Sequence, residues 1–394
     1  MRILYVSKNF PNNVHETRGL WVRGLVAEIG LNHDVAVVAP VPYCPPLLLR
    51  GTSYGRYREI AHERFDADVH VLHPRYPSGP GTLLERFEMP AYTRAVIGAA
   101  KRLVEQHGHF DLIHAHFVFP DGIAAMELAK QFQIPVVITD HAYWLPWMEN
   151  PFVKRLASNA VDYCSRHLSV SDALRKTVVE VIGEHPKLRT APIGYDDQIF
   201  SVDENATPDP NQILYVGRIH KTKGTDILLR AMSSIVKTAP QIKLKIVGGS
   251  MGFNNYQKHE REIRALVEEL SLDKHVEFVG EHPQRQIARF FHESAMLVVP
   301  SRRETFGAVA LEALACGRPV LATRCGGPEE IIDSATGLLV DKEDPEALAT
   351  AIVEFLPRAG KFERLSLNAA ARAYTWSEVA KHHLSIYDEV INEQ

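Results

Sequence analysis

The 394-residue chain is long for one hydrophobic core and comfortable for two domains, and its 45% hydrophobic and 23% charged residues exclude a disordered chain. A net charge of −4 and a pI near 6.6 argue against bulk nucleic-acid binding. No apolar run approaches the ~20 residues of a membrane-spanning helix, the opening MRILYVSKNF reads as a strand rather than a leader, and Cys44, Cys164, Cys316 and Cys325 lack C-x-x-C or metal-ligand spacing, so they read as reduced thiols of a cytoplasmic protein.

Residues 2–7, RILYVS, are β-branched and apolar and predict a strand. A polar loop with Pro11, Asn12, Asn13 and Gly19 follows, then a helix over 20–29 and a strand over 34–39. Strand, helix and strand at this spacing form a βαβ unit of a parallel sheet. The first loop lacks G-x-G-x-x-G, which weakens a dinucleotide-binding reading. Residues 40–90 read as an irregular, proline-rich excursion with one strand, ADVHVLHP. There Leu47, Leu48 and Leu49 beside Arg50, Arg56 and Arg58 would suit an anionic membrane surface, the alternative being a loop folded over the sheet.

A helix over 91–106, a strand over 111–114, a helix over 123–132 and a strand over 135–139 continue the alternation. His141 lies just past that strand, where ligands bind in open α/β sheets. His114 and His116 have no third ligand at useful spacing and read as packing groups or as the lining of an acceptor cleft. After a strand over 168–170 and a helix over 171–182 comes SVDENATPDPN, whose acidic, proline-bearing composition marks a domain boundary between residues 1–200 and 206–375.

The second half restarts with a strand over 212–216 and the turn GRIHKTKG, ahead of a helix. Arg218 and Lys223 put two cations on that turn, suited to a diphosphate. This is not a Walker loop, since G-x4-G-K-[ST] is missing. Strands over 242–247 and 276–279 and helices over 256–270 and 285–291 lead to the densest stretch, PSRRETFGAVALEALACGRPVLATRCGG at 300–327. An apolar strand precedes it, a polar loop opens it, and a helix follows. Backbone amides around Phe306, Gly307, Ala308 and Val309 could cradle an anion at the helix N-terminus. Glu304 in the loop and Glu312 in the helix, seven residues between them, could each accept hydrogen bonds from neighbouring hydroxyls. An anion cradle flanked by two hydroxyl acceptors suits a nucleotide-sugar. Strands over 319–322 and 337–340 and a final helix from Trp376 close the chain.

The 300–327 stretch resembles the E-x7-E motif of the retaining family 4 glycosyltransferases, within its PS…E-x-FG…EA-A-G-PV frame. GRIHKTKG is similar to the family's GR-x4-KG motif, and HAHFVFPDG…IPVVITDH resembles its polysaccharide-building branch. The resemblance spans nearly the whole chain. It implies an α/β GT-B fold, two doubly wound Rossmann-like domains facing a central cleft. Residues 1–200, with 376–394 crossing back, would form the acceptor domain, and 206–375 the donor domain. The implied reaction moves a sugar from a nucleoside-diphosphate-sugar to an acceptor hydroxyl with retention of anomeric configuration.

By the same resemblance Arg218, Lys223 and the amides of residues 306–309 would hold the donor diphosphate. Glu304 would hold a sugar hydroxyl, Glu312 the ribose, and the Glu281–His282 stretch the nucleobase, while His141 would meet the sugar near the reacting carbon. Glu304 as a covalent nucleophile is the competing idea. Gly19, after Arg18, stands alone where the family has a Gly-Gly pair at the donor phosphates. Neither a metal nor a cofactor is expected. The acceptor would be a glycan, a lipid-linked or a small molecule, with no nucleic-acid partner. The expected location is the cytoplasm, contact with the inner face of the membrane being left open. A GT-B nucleotide-sugar epimerase or phosphorylase, and a non-catalytic nucleotide-sugar sensor, are the other classes.

Overall fold

The alternation of apolar runs and amphipathic stretches builds two large sheets, one in each of two units, Met1–Gly194 with Trp376–Gln394 and Tyr195–Thr375, and a two-stranded pair stands beside the first. The structure, a computed structural model, describes residues 1–43, 53–78, 87–144, 149–250 and 254–393. Cys44, Leu47, Leu48, Leu49 and Arg50 lie outside the described residues.

The first unit runs β1 (Arg2–Val6), α1 (Leu20–Gly30), β2 (Asp34–Val38), β3 (Val41–Tyr43), β4 (Glu63–Asp66), β5 (Val69–Leu72), β6 (Arg75–Pro77), α2 (Glu88–His107), β7 (Leu112–His116), α3 (Ile123–Phe132), β8 (Val136–Asp140), α4 (Pro151–Tyr163), β9 (Arg166–Ser169), α5 (Asp172–Ile182) and β10 (Leu188–Thr190). Its main sheet has the order β10-β9-β8-β7-β1-β2-β5-β4, parallel except for β4 against β5. The central strands β7 and β8 are buried throughout, as strands covered by helices on both faces must be. Val22, Leu25, Val26 and Ile29 form the buried stripe of α1 at helical spacing. The terminal helix Trp376–Asn392 lays Val379, Ala380, Ile386, Tyr387 and Val390 into the same core.

Two expectations change here. The described part of 40–90 is not irregular: it holds β3 to β6 and a 3-10 segment, Ser53–Glu59, which contains Arg56 and Arg58. Its order comes from Arg75, whose guanidinium collects the carbonyls of Tyr57, Arg58 and Ile60 at 2.8–2.9 Å. The unit boundary falls between Gly194 and Tyr195, ahead of the acidic stretch. That stretch is tied into the second unit, because the Ser201 carbonyl meets His292 Nε2 and the Asp203 and Ala206 carbonyls accept from Arg364.

The second unit runs β11 (Asp209–Val216), α6 (Thr225–Thr238), β12 (Lys243–Val247), α7 (Asn254–Glu269), β13 (Val276–Gly280), α8 (Gln284–Glu293), β14 (Ser294–Val299), α9 (Ala308–Ala315), β15 (Val320–Thr323), β16 (Gly337–Val340), α10 (Pro345–Ala359) and α11 (Arg364–Ala371). Its six strands are all parallel, in the order β13-β12-β11-β14-β15-β16. In each sheet the strand order turns back at one point, between β1 and β7 and between β11 and β14. The crevice outside the carboxyl ends of such strands is where open α/β sheets bind ligands.

Candidate functional site

In the second unit, the loop leaving β11 reaches α6 through a 3-10 turn, Lys221–Lys223. Gly224 caps α6 with φ 66°, and a Cβ there would lie 1.9 Å from the Pro300 carbonyl oxygen. Only glycine accepts both the left-handed backbone and that close approach. The contact sets the loop after β14 against the loop after β11. Arg302 locks the two together, donating to both Asp226 carboxylate oxygens, to the Lys221 carbonyl and to Glu343, each at 2.7 Å. Burial alone would raise the Asp226 pKa, but the hydrogen bond and charge of Arg302 hold it below its ordinary value.

On this platform Lys223 Nζ donates to both oxygens of Glu304, at 2.6 and 2.8 Å, and Ser301 Oγ donates to Oε1 at 2.8 Å. The Glu304 side chain is only 9% exposed. Its backbone is pinned by the 326–329 loop: Glu304 N–H donates to the Cys325 carbonyl, Gly327 N–H to the Glu304 carbonyl, and Glu329 accepts from the Cys325 and Gly326 amides. Gly307 then caps α9, whose first amides lack partners within the helix. Glu312 lies in α9 and is partly buried. Burial pushes its carboxyl up to about 8, against the opposing effect of a hydrogen bond with Gln284. Arg218 lies with its guanidinium 5.9 Å from the Tyr256 ring centre, and its carbonyl accepts from Tyr215. Past β13, Glu281 is exposed and lies against Gly249, while His282 packs edge-on to Phe290 at 5.3 Å.

In the first unit, His116 ends β7, Asp140 ends β8 and His141 follows. His116 Nδ1 and His141 Nε2 are 2.8 Å apart, with the rings 24° from parallel. His114, under His116, pairs through Nδ1 with Tyr387 of the terminal helix at 2.6 Å and through Nε2 with Thr139 at 2.7 Å. Asp140 is buried and occupied, accepting from Val118 N–H and Trp144 Nε1 and pairing with His167 Nε2. Burial holds His114 and His116 well below the usual histidine range and His141 down at about 3, although Asp140 pulls His141 the other way. All three are neutral near pH 7. Gly19 caps α1 with φ 72° and brings the Asn9 carbonyl within 1.9 Å of where a Cβ would stand. Arg18 braces that loop through Asn9 and Tyr57. Asp121, pushed up to about 7 by burial, accepts from the Lys8 amide and from Tyr92.

Residues read separately in the sequence thus meet here. Lys223 and Glu304 form one ion pair, and the glutamate loop and the cation loop are braced together by a group the sequence reading passed over, Arg302. Ser301 was visible within the PS…E frame, but nothing local marks Arg302, because Asp226 is 76 positions away. His116, read as packing or lining, is the direct partner of His141. Cys164, Cys316 and Cys325 are buried and unpaired. Among the described residues no group of three or more His, Cys, Asp or Glu is placed to hold a metal.

Residues 22–199 match the family model described as Glycosyltransferase Family 4, and residues 196–372 match Glycosyl transferases group 1. The chain is 29% identical over 348 residues to the D-inositol 3-phosphate glycosyltransferase of Acidothermus cellulolyticus, covering 80% of this chain and 76% of that one. It superposes on sucrose-phosphate synthase from Thermosynechococcus elongatus with a TM-score of 0.81 at 22% identity, across 100% of both chains. It also superposes on Anabaena HepE in complex with UDP and glucose, with a TM-score of 0.74 at 18% identity, over 98% of this chain and 99% of that one.

Proposed function

The chain belongs to the family 4 glycosyltransferases and has their GT-B fold, and on that premise we propose that it moves a sugar from a nucleoside diphosphate to an acceptor hydroxyl with retention at the anomeric carbon, without a metal. The observation that carries this is the Lys223–Glu304 pair at the switch point of the second sheet, beside the N-terminus of α9. Departure of the nucleoside diphosphate builds negative charge. Arg218, Lys223 and the amides of Phe306, Gly307, Ala308 and Val309 would stabilise it, the work of preorganised donors. Glu304 would orient Lys223 and hold a sugar hydroxyl, and Glu312 would accept from the ribose. Glu281 and His282 would border the base, Gly19 would let the backbone of its loop approach the donor phosphates, and His141 would meet the sugar.

The acceptor is proposed to be a cell-surface glycan or its lipid-linked precursor, with the work done in the cytoplasm. No helix among the described residues is long and apolar enough to cross a membrane. A small soluble acceptor is the second reading. It is favoured by the D-inositol 3-phosphate glycosyltransferases among the similar proteins.

A thermal-shift series with UDP, GDP, ADP, dTDP, CMP and NAD, each with and without EDTA, tests the donor half, since a ligand of the native state raises its apparent stability. The expected result is a shift with one nucleoside diphosphate that EDTA leaves unchanged. A shift with NAD alone, or one that EDTA abolishes, overturns the proposal. The sugar donors of the stabilising nucleotide are then assayed for hydrolysis and transfer, with the anomeric configuration of the product read by NMR.

A further inference from the structure

Arg318 lies in the turn from α9 to β15, at the amino end of that strand and so at the end of the second sheet opposite the crevice. It is 3% exposed. Its Nε and Nη2 are both buried and have no hydrogen-bond partner among the described residues. These two nitrogens form one edge of the guanidinium. Their N–H groups run parallel, the fork that spans two oxygens of a carboxylate or a phosphate. A second cation stands beside it. Gly317 takes φ 68°, and a Cβ there would lie 2.8 Å from Arg364 Cβ, so the first turn of α11 packs directly on this turn.

The nearby acceptors are already engaged. At the end of α9 the carbonyls of Glu312, Ala313 and Leu314 accept from the amides of Cys316, Arg318 and Gly317, and that of Ala315 accepts from Asn368 Nδ2 at 2.7 Å. Arg364 donates to the Asp203 and Ala206 carbonyls, while the Asp203 carboxylate accepts from the Asn205 amide at 2.9 Å. Neither arginine makes an ion pair among the described residues. Burial lowers the Arg318 pKa to about 10, with the Arg364 charge pushing the same way, and the group is still a cation at neutral pH. A buried cation without a counter-charge is costly. Water can complete its hydrogen bonds but brings no charge, and two adjacent cations favour a doubly charged anion over a singly charged one.

We propose that Arg318 and Arg364 form an anion site of the second unit, apart from the donor crevice, in which an oxyanion of the phosphate class is held on the Nε–Nη2 edge of Arg318. The site lies at the far end of the helix whose first amides are assigned above to the donor diphosphate. Phosphate therefore has two places to bind in this unit, and the variants below tell them apart.

Thermal unfolding of the full chain is followed without nucleotide in phosphate, acetate and chloride, at matched ionic strength and neutral pH. The midpoint is expected to be highest in phosphate, lower in acetate and lowest in chloride, and to rise with phosphate concentration. Equal midpoints in the three salts overturn the proposal.

Arg318→Met keeps an apolar stem of similar length and removes the fork with its charge, so the phosphate increment is expected to vanish. In Lys223→Met, altered only in the crevice, the increment is expected to persist. An increment that Arg318→Met keeps, or that Lys223→Met loses, overturns the proposal. Arg318→Lys retains the charge without the fork and decides the matter should Arg318→Met not fold. Its increment is expected to shrink, and one equal to that of the wild type removes the fork from the role. No turnover is measured, so failure here leaves the transferase reading intact, and failure of that reading leaves this result intact.

Discussion

Gly19 and Gly224 occupy equivalent places in the two units. Each caps the first helix after a switch-point strand in the left-handed region, at φ 72° and 66°, and each holds a carbonyl oxygen 1.9 Å from where a Cβ would lie. Beyond that shared geometry the two sites diverge in charge. Around Gly224 groups of opposite charge are paired: Lys223 with Glu304, Arg302 with Asp226 and Glu343. Around the β7 and β8 ends of the first unit, burial pushes the groups toward neutrality: His114, His116 and His141 down, Asp121 up to about 7. The second unit thus gathers opposite charges at its strand ends, and the first gathers groups that burial keeps uncharged.

The contrast breaks most directly at Lys223. Lys223→Met removes the cation that the proposed function sets at the leaving group and is expected to lower kcat/KM by about 100-fold or more, measured with the donor that the thermal-shift series identifies. Glu304→Gln should lose activity with it, and the double variant should lose much less than the sum, since the pair acts as a unit. Additive losses would sever the two residues.

The two glycines come next. Gly224→Ala and Gly19→Ala each force a Cβ against a carbonyl in a left-handed backbone, and each should destabilise the protein by about 1–3 kcal/mol in chemical denaturation. If Gly19→Ala is neutral while Gly224→Ala is not, the first loop is free to shift and the equivalence is only formal. Arg302→Lys keeps the charge but cannot reproduce the bidentate pair with Asp226. A loss of about 1–2 kcal/mol is expected, together with weaker nucleotide binding as the 300–307 loop loosens.

The last effect is a pH dependence carried by Glu312. The Glu312 carboxyl lies at about 8 in the folded chain against 4.5 ordinarily, so its contribution to stability is fully present below about 4.5 and is lost as pH rises toward 8. Ribose hydroxyls donating to the ionised carboxylate would draw the proton off. Nucleotide affinity is therefore expected to rise between pH 6 and 8, by at most about tenfold per unit, with one proton released in calorimetry. Glu312→Gln should flatten that profile. His141, at about 3, stays neutral in the folded chain between pH 6 and 8 and adds nothing to that affinity profile.

The alternating strands and helices of both units were legible in the sequence because parallel strands covered on two faces read as unbroken apolar runs. The cation turn and the glutamate loop were legible because their residues lie close together along the chain. Of the four short strands between β2 and α2, β5 was, within ADVHVLHP, but the other three were not. Their order depends on one arginine gathering three carbonyls, and no periodicity records that. The boundary was displaced for a related reason, since acidic and proline-bearing composition resembles a linker even where its carbonyls are tied down by His292 and Arg364.

Local spacing was enough to single out the residue types: two cations, two carboxylates, a histidine after a strand. Their protonation and pairing depended on partners brought from 25 to 81 positions away, His116 for His141, Asp226 for Arg302 and Lys223 for Glu304. The chemical kind of a side chain is carried by the sequence, but its charge state follows from burial and neighbours, which exist only once the sheets have formed.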